Sequence, residues 1–472
     1  MSTRYEQMAD ALAQHIDQGV FEAGERLPGV RKLAQQFGVS VSTAVQAQQV
    51  LESRGYIEAR PRSGFFVRVQ SWQTPSPPLL PKPSKRPTII TGQNLAMKLS
   101  QVTHQTGIVQ LGAAVPNAQF LPTRAVNQSF IKVAKQYPQC DARYMFPPGS
   151  LELRRQISRR MTYAGCQIAP DELVITSGCQ EALMLCLRAV SKPGDIVAIE
   201  SPSFYGLLQV IESLGLKALE IPTDPQSGIS LSALQLAIEQ WPLKACIVVS
   251  NFSNPLGHCL SDESKKQLVQ LLSKHTIPLI EDDVYGDLAF DQSRPLAAKH
   301  YDNYGDVLYC ASFSKTISPG LRVGWIAPGR FQEQIEYQKY ISSLASPGLP
   351  QLALADFLSR GGYDKHLRQV RQRYAQLVQQ FSRAIIEFFP EGTRLTQPAG
   401  GFVLWVELPG ECDSVVLYQQ AMEHGVSIAP GIIFSAKQKY RNFIRLNCAQ
   451  PWNRDTELAV LLLGKLANKL AK

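Results

Sequence analysis

Residues 307–325 read VLYCASFSKTISPGLRVGW: an apolar run that stops at Phe313-Ser314-Lys315, followed by the turn residues Pro319-Gly320. A short apolar run bounded in this way marks a strand buried on both faces. The same design recurs upstream. The run IVAIE (196–200) leads to Ser201-Pro202-Ser203-Phe204-Tyr205, CIVVS (246–250) to Asn251-Phe252-Ser253-Asn254-Pro255, and PLIE (278–281) to Asp282-Asp283-Val284-Tyr285. A further strand near 173–176 ends at Ser177-Gly178-Cys179-Gln180 and continues into a helical pattern over 181–189. Apolar runs alternating with helical stretches predict an α/β domain with a mostly parallel central sheet flanked by helices. In such a sheet the carboxyl ends of the strands lie along one edge, so the residues after these runs converge on one crevice. The free N–H groups where the 181–189 helix begins make a phosphate seat.

Upstream, the pattern changes twice. Residues 71–88, SWQTPSPPLLPKPSKRPT, hold six prolines in eighteen positions, which predicts an extended linker. It divides the chain into 1–70, a linker 71–95 and a body 96–472. Before it, Tyr5, Met8, Ala9, Leu12 and Ile16 recur at helical spacing. Val30, Leu33, Ala34 and Phe37 mark a second helix that Gly38 stops, and Ser40 caps a third, carrying Ala44, Ala47 and Leu51 and closed by Gly55. Residues 56–60 and 65–69 then read as two strands around Pro61-Arg62-Ser63-Gly64. The whole is a helix-turn-helix with a hairpin wing, and the later helix of such a unit enters the major groove. Charge follows the same division. Residues 26–68 hold seven Arg or Lys and two acids, whereas residues 1–25 hold five acids and only Arg4.

Composition sets the outer bounds. The 472 residues are 44% hydrophobic and 18% charged, with a net charge of +9. These are ordinary values for a globular chain with a large core. No uninterrupted apolar run is long enough to span a bilayer, and MSTRYEQMAD has no signal-type apolar segment. A cytoplasmic location without membrane partners is expected. The nine cysteines include no CxxC pair and the seven histidines no HxxxH pair. That points to reduced thiols and gives a metal site no support.

The segment GERLPGVRKLAQQFGVSVSTAVQAQQVLESRGYIEARPRSGFFV, residues 24–67, resembles the GntR family of winged-helix regulators. The resemblance implies DNA contacts by Arg31, Ser40, Ser42, Thr43, Arg62 and Gly64. Val41 and Val45 stand where many members carry basic residues.

The body, over about residues 96–472, resembles the fold-type I pyridoxal-phosphate enzymes of the aspartate-aminotransferase superfamily, including their small C-terminal α+β subdomain. The strongest piece is Ser312-Phe313-Ser314-Lys315-Thr316 followed by Pro319-Gly320-Leu321-Arg322-Val323-Gly324-Trp325. The resemblance implies pyridoxal 5′-phosphate held on Lys315 as an imine, Asp282 on the pyridine nitrogen, and Tyr285 and Asn254 on the ring hydroxyl. Lys315, Asp282 and Tyr285 would carry the chemistry. Phe204 would stack on the ring, and Gly178, Cys179, Gln180, Ser312, Ser314 and Arg322 would surround the phosphate. Tyr144, in Tyr-x-x-x-x-Gly149, would reach a neighbouring subunit's phosphate, and Arg445 would clamp a substrate carboxylate. One departure is Ala114, in LGAAVPNAQFLP, where a glycine usually lies near the substrate.

Head, linker and body together resemble the MocR subfamily of bacterial regulators. That implies a cofactor-dependent transcription factor on double-stranded promoter DNA. It implies a domain-swapped, head-to-tail homodimer, and a vitamin B6 vitamer or an amine or amino-acid effector. The rival expectation is a working aminotransferase with an accessory DNA-binding head.

Overall fold

A computed structural model of the chain describes residues 3–17, 20–21, 24–53, 56–60, 63–67, 75–80, 86–91, 94–102, 105–139, 142–291 and 293–471. The chain divides into two compact units, Met1–Thr74 and Pro75–Lys472.

In the first unit, helix Arg4–Asp17 buries Met8, Ala9, Leu12 and Ala13, the spacing of one helical face. Helix Val30–Gln36 buries Leu33 and Ala34. Gly38 then turns the chain at φ +62°, a conformation glycine adopts at no steric cost. Ser40 Oγ accepts the Thr43 N–H at 3.1 Å and opens helix Val41–Ser53; a cap of this kind contributes about 1 kcal/mol. Ala44, Ala47 and Leu51 are fully buried. Strands Ile57–Arg60 and Gly64–Val67 pair antiparallel, with Ile57 opposite Val67 and Arg60 opposite Gly64. Helix-closing Gly55, the wing-tip residues Pro61 and Arg62, and the strand end expected at Val69 lie outside the described residues.

In the second unit, Lys217–Asp224, Ile196–Ser201, Leu243–Val248, Leu279–Asp282 and Val307–Ser312 lie side by side and parallel. Gly324–Ala327 continues the sheet antiparallel, and Val174–Thr176 follows it. Successive residues face opposite sides. Ile280, Leu308 and Ile326 pack with Leu183 and Leu187 on one side, while Leu279 and Val307 pack with Leu268 and Leu272 on the other. The strand expected at 246–250 begins earlier and ends at Val248, because the Val249 N–H leaves the ladder for Glu200 Oε2 at 2.8 Å. A small four-stranded antiparallel sheet holds Arg394–Leu395, Val403–Glu407, Phe443–Asn447 and Ala429–Pro430. The long helix Gly362–Phe388 packs with helix Arg454–Leu470 beside it.

The described stretches 75–80 and 86–91 of the expected linker are bonded to the second unit. The Leu79 N–H donates to Glu407 Oε2 at 2.8 Å and the Leu395 N–H to Ser76 O at 3.2 Å. Thr88–Ile89 pairs with Lys217–Asp224, and helix Asn94–Val102 begins inside the expected linker. Proline forbids a helix here and fixes φ, but an extended chain can bond to a protein surface as well as to water. Residues 71–74 and 81–85 lie outside the described residues. No helix among the described residues is long and apolar enough to cross a membrane. Eight cysteines are free thiols; Cys140 lies outside the described residues.

Candidate cofactor site and DNA-facing surface

Lys315 follows the strand Val307–Ser312, and its Nζ donates to the Ala114 carbonyl at 2.7 Å. Burial first, and then the Arg445 charge, bring its ammonium down from 10.5 to about 8, with Asp282 opposing. A lysine held this way has a sizeable neutral, nucleophilic fraction near physiological pH.

Asp282 ends the strand Leu279–Asp282. Its Oδ1 accepts the Cys179 thiol at 3.2 Å and the Val284 N–H at 3.3 Å. Burial pushes this carboxyl up to about 7. Its neighbour Asp283 is committed elsewhere: it pairs with Arg294 at 2.5 Å and accepts bonds from Tyr309 and Asn251, each at 2.9 Å. Strand alternation thus separates two adjacent carboxylates, and only Asp282 interacts with Lys315.

The remaining expected residues gather at the same strand ends. Tyr285 is buried, its phenol is pushed up by burial, and it bonds Asn254. Asn254 Oδ1 is buried with no partner among the described residues. Phe204 caps helix Tyr205–Ser213, its ring 4.8 Å from that of Tyr205. Gly178, at φ +88°, precedes helix Cys179–Val190. Any side chain there would collide with the Arg322 guanidinium. Arg322 Nη2 donates to Ser177 O at 2.8 Å, and Arg322 itself holds a left-handed φ of 51°. Ser312 and Ser314 are buried, and the Ser314 N–H lies 3.4 Å from Ser312 Oγ. Gln180 lies in the first turn of that helix. Tyr144 stands 71% exposed beside Phe146 and bonds none of these residues among those described.

Arg445 is fully buried in the strand Phe443–Asn447. One terminal nitrogen donates to the Gly112 carbonyl, while Nε and Nη1 have no partner among the described residues. Burial lowers its pKa. A buried fork with two idle donors suits the carboxylate of a ligand. Two neighbours were not singled out from the sequence. Tyr205 lies beside the guanidinium. Asn447 Nδ2 straps the carbonyls of Ala113 and Val115 at 2.8 and 2.9 Å, on either side of the one that receives Lys315. Ala114 therefore meets Lys315 through its carbonyl, and its methyl is buried with Phe252 and Tyr285. The glycine cradle, the idle Arg445 donors and the Asn254 amide fit a phosphorylated pyridine carrying an amino acid.

On the first unit, Arg31 and Ser42 are exposed, and Ser40 Oγ lies 2.8 Å from both Ser42 Oγ and Thr43 Oγ1. Val41 and Val45 are 51% and 39% exposed on the same helix. Gly64 sits at φ +99° against the Arg26 guanidinium.

Two family models match the chain: aminotransferase class I and II over residues 110–460, and bacterial regulatory proteins, gntR family, over residues 4–67. The "Uncharacterized HTH-type transcriptional regulator YjiR" of Escherichia coli strain K12 is 42% identical over 463 residues, covering 98% of each chain. Aromatic-amino-acid aminotransferase 1 of Thermococcus litoralis is 27% identical over 75% of this chain and 88% of its own. The α-aminoadipate aminotransferase LysN of Thermus thermophilus, complexed with N-(5′-phosphopyridoxyl)-L-leucine, superposes with a TM-score of 0.74. It is 26% identical and covers 81% of this chain and 96% of its own. With a gntR-type head, an aminotransferase body and a full-length regulator relative, the chain belongs to the MocR subfamily of GntR-type transcription regulators.

Proposed function

We propose that the protein is a pyridoxal 5′-phosphate-dependent transcription regulator whose body detects an amine or amino acid and whose head binds promoter DNA. The observation that carries this reading is the pairing of Lys315 and Asp282 with the idle donors of Arg445, in a chain that also carries a gntR-type head. The bound cofactor supplies an aldehyde able to condense with primary amines. Lys315 would hold it through its Nζ, at a position an incoming amine could take. Asp282 keeps the pyridine nitrogen protonated, with the Cys179 thiol favouring the ionised carboxylate. Tyr285 and Asn254 hold the ring hydroxyl, Phe204 covers the ring, and Gly178, Cys179, Gln180, Ser312, Ser314 and Arg322 seat the phosphate. Arg445 takes the effector's carboxylate as a planar fork. The free Lys315 amine donates to the Ala114 carbonyl, so a ligand that displaced Lys315 would return this bond to the segment that Asn447 straps.

The aminotransferase fold family is dimeric as a rule, and a domain-swapped homodimer accounts for the exposed Tyr144 as a contributor to the neighbouring subunit's phosphate site. On the head, Arg31, Ser40, Ser42, Thr43, Arg62 and Gly64 meet the duplex. A cytoplasmic location follows from contact with the chromosome. The effector acts only through differential affinity for two states of the dimer. Full-length protein on DNA from upstream of its own gene tests this. With an amino-acid panel, at least one member should change DNA affinity about 5-fold or more, the usual scale of allosteric coupling. Lys315→Ala should abolish both that response and borohydride trapping of the cofactor. The complete set of Lys315, Asp282 and Arg445 also supports a second reading, a transaminase. Rapid turnover that survives deletion of residues 1–70, with no DNA binding, would establish that reading and sink the regulator.

A further inference from the structure

A cavity of about 480 Å³ opens in the second unit between residues 119–122 and the first turns of helix Gly362–Phe388. Its volume is that of small-molecule pockets, roughly 300–1,000 Å³. Phe120, Leu121 and Pro122 give it an apolar wall, and Lys365, His366 and Arg373 a basic one. The Arg373 guanidinium lies 5.5 Å from the Phe120 ring centre. Among the described residues, neither Lys365 nor Arg373 has a carboxylate at ion-pair distance. Asp364, the adjacent acid, is taken by Arg160 at 2.9 Å.

We propose that this cavity binds a small organic phosphomonoester and that its occupancy is felt at Lys315. Two cations without a counter-ion suit a doubly charged group, and Phe120 with Leu121 suits an apolar body. Both walls are tied to the lysine. His366 Nε2 donates to the Thr316 carbonyl at 2.7 Å, and Thr316 Oγ1 donates at 2.8 Å to the Tyr363 hydroxyl, whose own proton goes to Asp287 Oδ2 at 3.0 Å. Thr316 is the residue after Lys315. A carbonyl only accepts, so His366 carries its proton on Nε2. On the opposite wall, the chain just before Gln119 is pinned. The Asn117 N–H donates to Ala449 O at 2.9 Å and Asn117 Nδ2 to Gln450 Oε1 at 3.0 Å. The same strand end carries Asn447, which straps Ala113 and Val115 around the carbonyl that receives Lys315. A ligand drawing Arg373 and Lys365 toward Phe120 therefore bears on the lysine from two directions. This is a physical connection between two sites, which is what coupling requires.

The binding half of the proposal is independent of the regulator reading; the coupling half rests on Lys315 as the cofactor lysine. The test uses full-length protein whose cofactor has been fixed to Lys315 with borohydride, which closes the cofactor site. Phenyl phosphate is titrated by calorimetry. Saturable binding is expected, weakened about ten-fold or more in the double variant Lys365→Gln/Arg373→Gln, the scale of losing charge-assisted bonds. Arg368→Gln, at an exposed arginine of the same helix outside the cavity, should leave it unchanged. In unreduced protein, phenyl phosphate should shift the pH midpoint of the visible cofactor band in the wild type and not in the double variant. Absence of saturable binding, or binding that the double variant keeps, overturns the site. Binding without a spectral shift overturns the link to Lys315. Displacement of the probe by random-sequence duplex DNA assigns these cations to a nucleic-acid backbone and overturns the small-ligand assignment. Failure of the borohydride step itself speaks against the cofactor reading, and calorimetry on unreduced protein then still decides the cavity.

Discussion

Burial and the Arg445 charge give Lys315 a testable pH signature. An amine that titrates near 8 is about a quarter neutral at pH 7.5, against about a thousandth for a free lysine. Cofactor capture by the empty protein should therefore speed up with pH and level off just above 8; stopped-flow absorbance reads it, and a rise that continues toward 10.5 contradicts the buried amine. The lowered value means that between 8 and 10.5 the unfolded chain binds more protons, so this group's share of stability grows with pH in that window. Asp282 has the opposite sign. Its carboxyl is raised to about 7, so between 3.8 and 7 the folded chain holds the proton and stability falls as pH rises. Cys179 offers a finer test. Cys179→Ala removes a donor to Asp282 and should release cofactor about 5-fold faster, near 1 kcal/mol, while Cys179→Ser keeps a donor and stays close to wild type. Lys315, Asp282 and Arg445 were legible because each lies at a strand end or in a recognisable short motif. Tyr205 and the strap made by Asn447 were not, since a lone polar side chain gives no hint of the distant carbonyl or guanidinium it will meet.

The helix Val41–Ser53 presents two exposed valines beside its hydroxyl-bearing start. Apolar side chains in the major groove read the thymine methyl, whereas an arginine such as Arg31, in the proposed contact set, would meet a phosphate. Val45→Ala should thus relax preference at one base step, costing about 1 kcal/mol on the preferred sequence, with the salt slope unchanged. Arg31→Ala should weaken all sequences alike and reduce the slope by about one. Fluorescence anisotropy across a salt series separates the two, and exchanged outcomes would reassign both residues. The helices of the head were readable from spacing, Gly38 and Ser40, since each signal is local. The strands Lys217–Asp224 and Gly324–Ala327 did not stand out. In the first, Lys217, Glu220 and Asp224 break the apolar run, and Glu220 is buried with Ser435 Oγ, the Ala436 N–H and the Lys439 ammonium reaching it from far along the chain.

For the whole molecule, the boundary between units falls at Pro75 rather than at residue 96. A body beginning at Pro75 should fold and retain cofactor. One beginning at residue 96 loses the strand Thr88–Ile89 and the Leu79 bond to Glu407, and should melt several degrees lower, on the scale of about 1–2 kcal/mol in a domain this large. Equal melting temperatures would return residues 75–95 to the linker. Proline content reports an extended backbone and not whether that backbone is covered. The two adjacent aspartates reach further than the site itself. Asp283→Asn breaks a buried pair with Arg294, a loss of about 3–5 kcal/mol, and in a cell such a loss appears as less protein. Asp282→Asn should leave the amount of protein intact and silence only its response. In a variant library scored once for abundance and once for promoter output, these neighbouring codons would fall into different classes. An inherited or engineered defect at one could be rescued by stabilising mutations elsewhere, and at the other it could not.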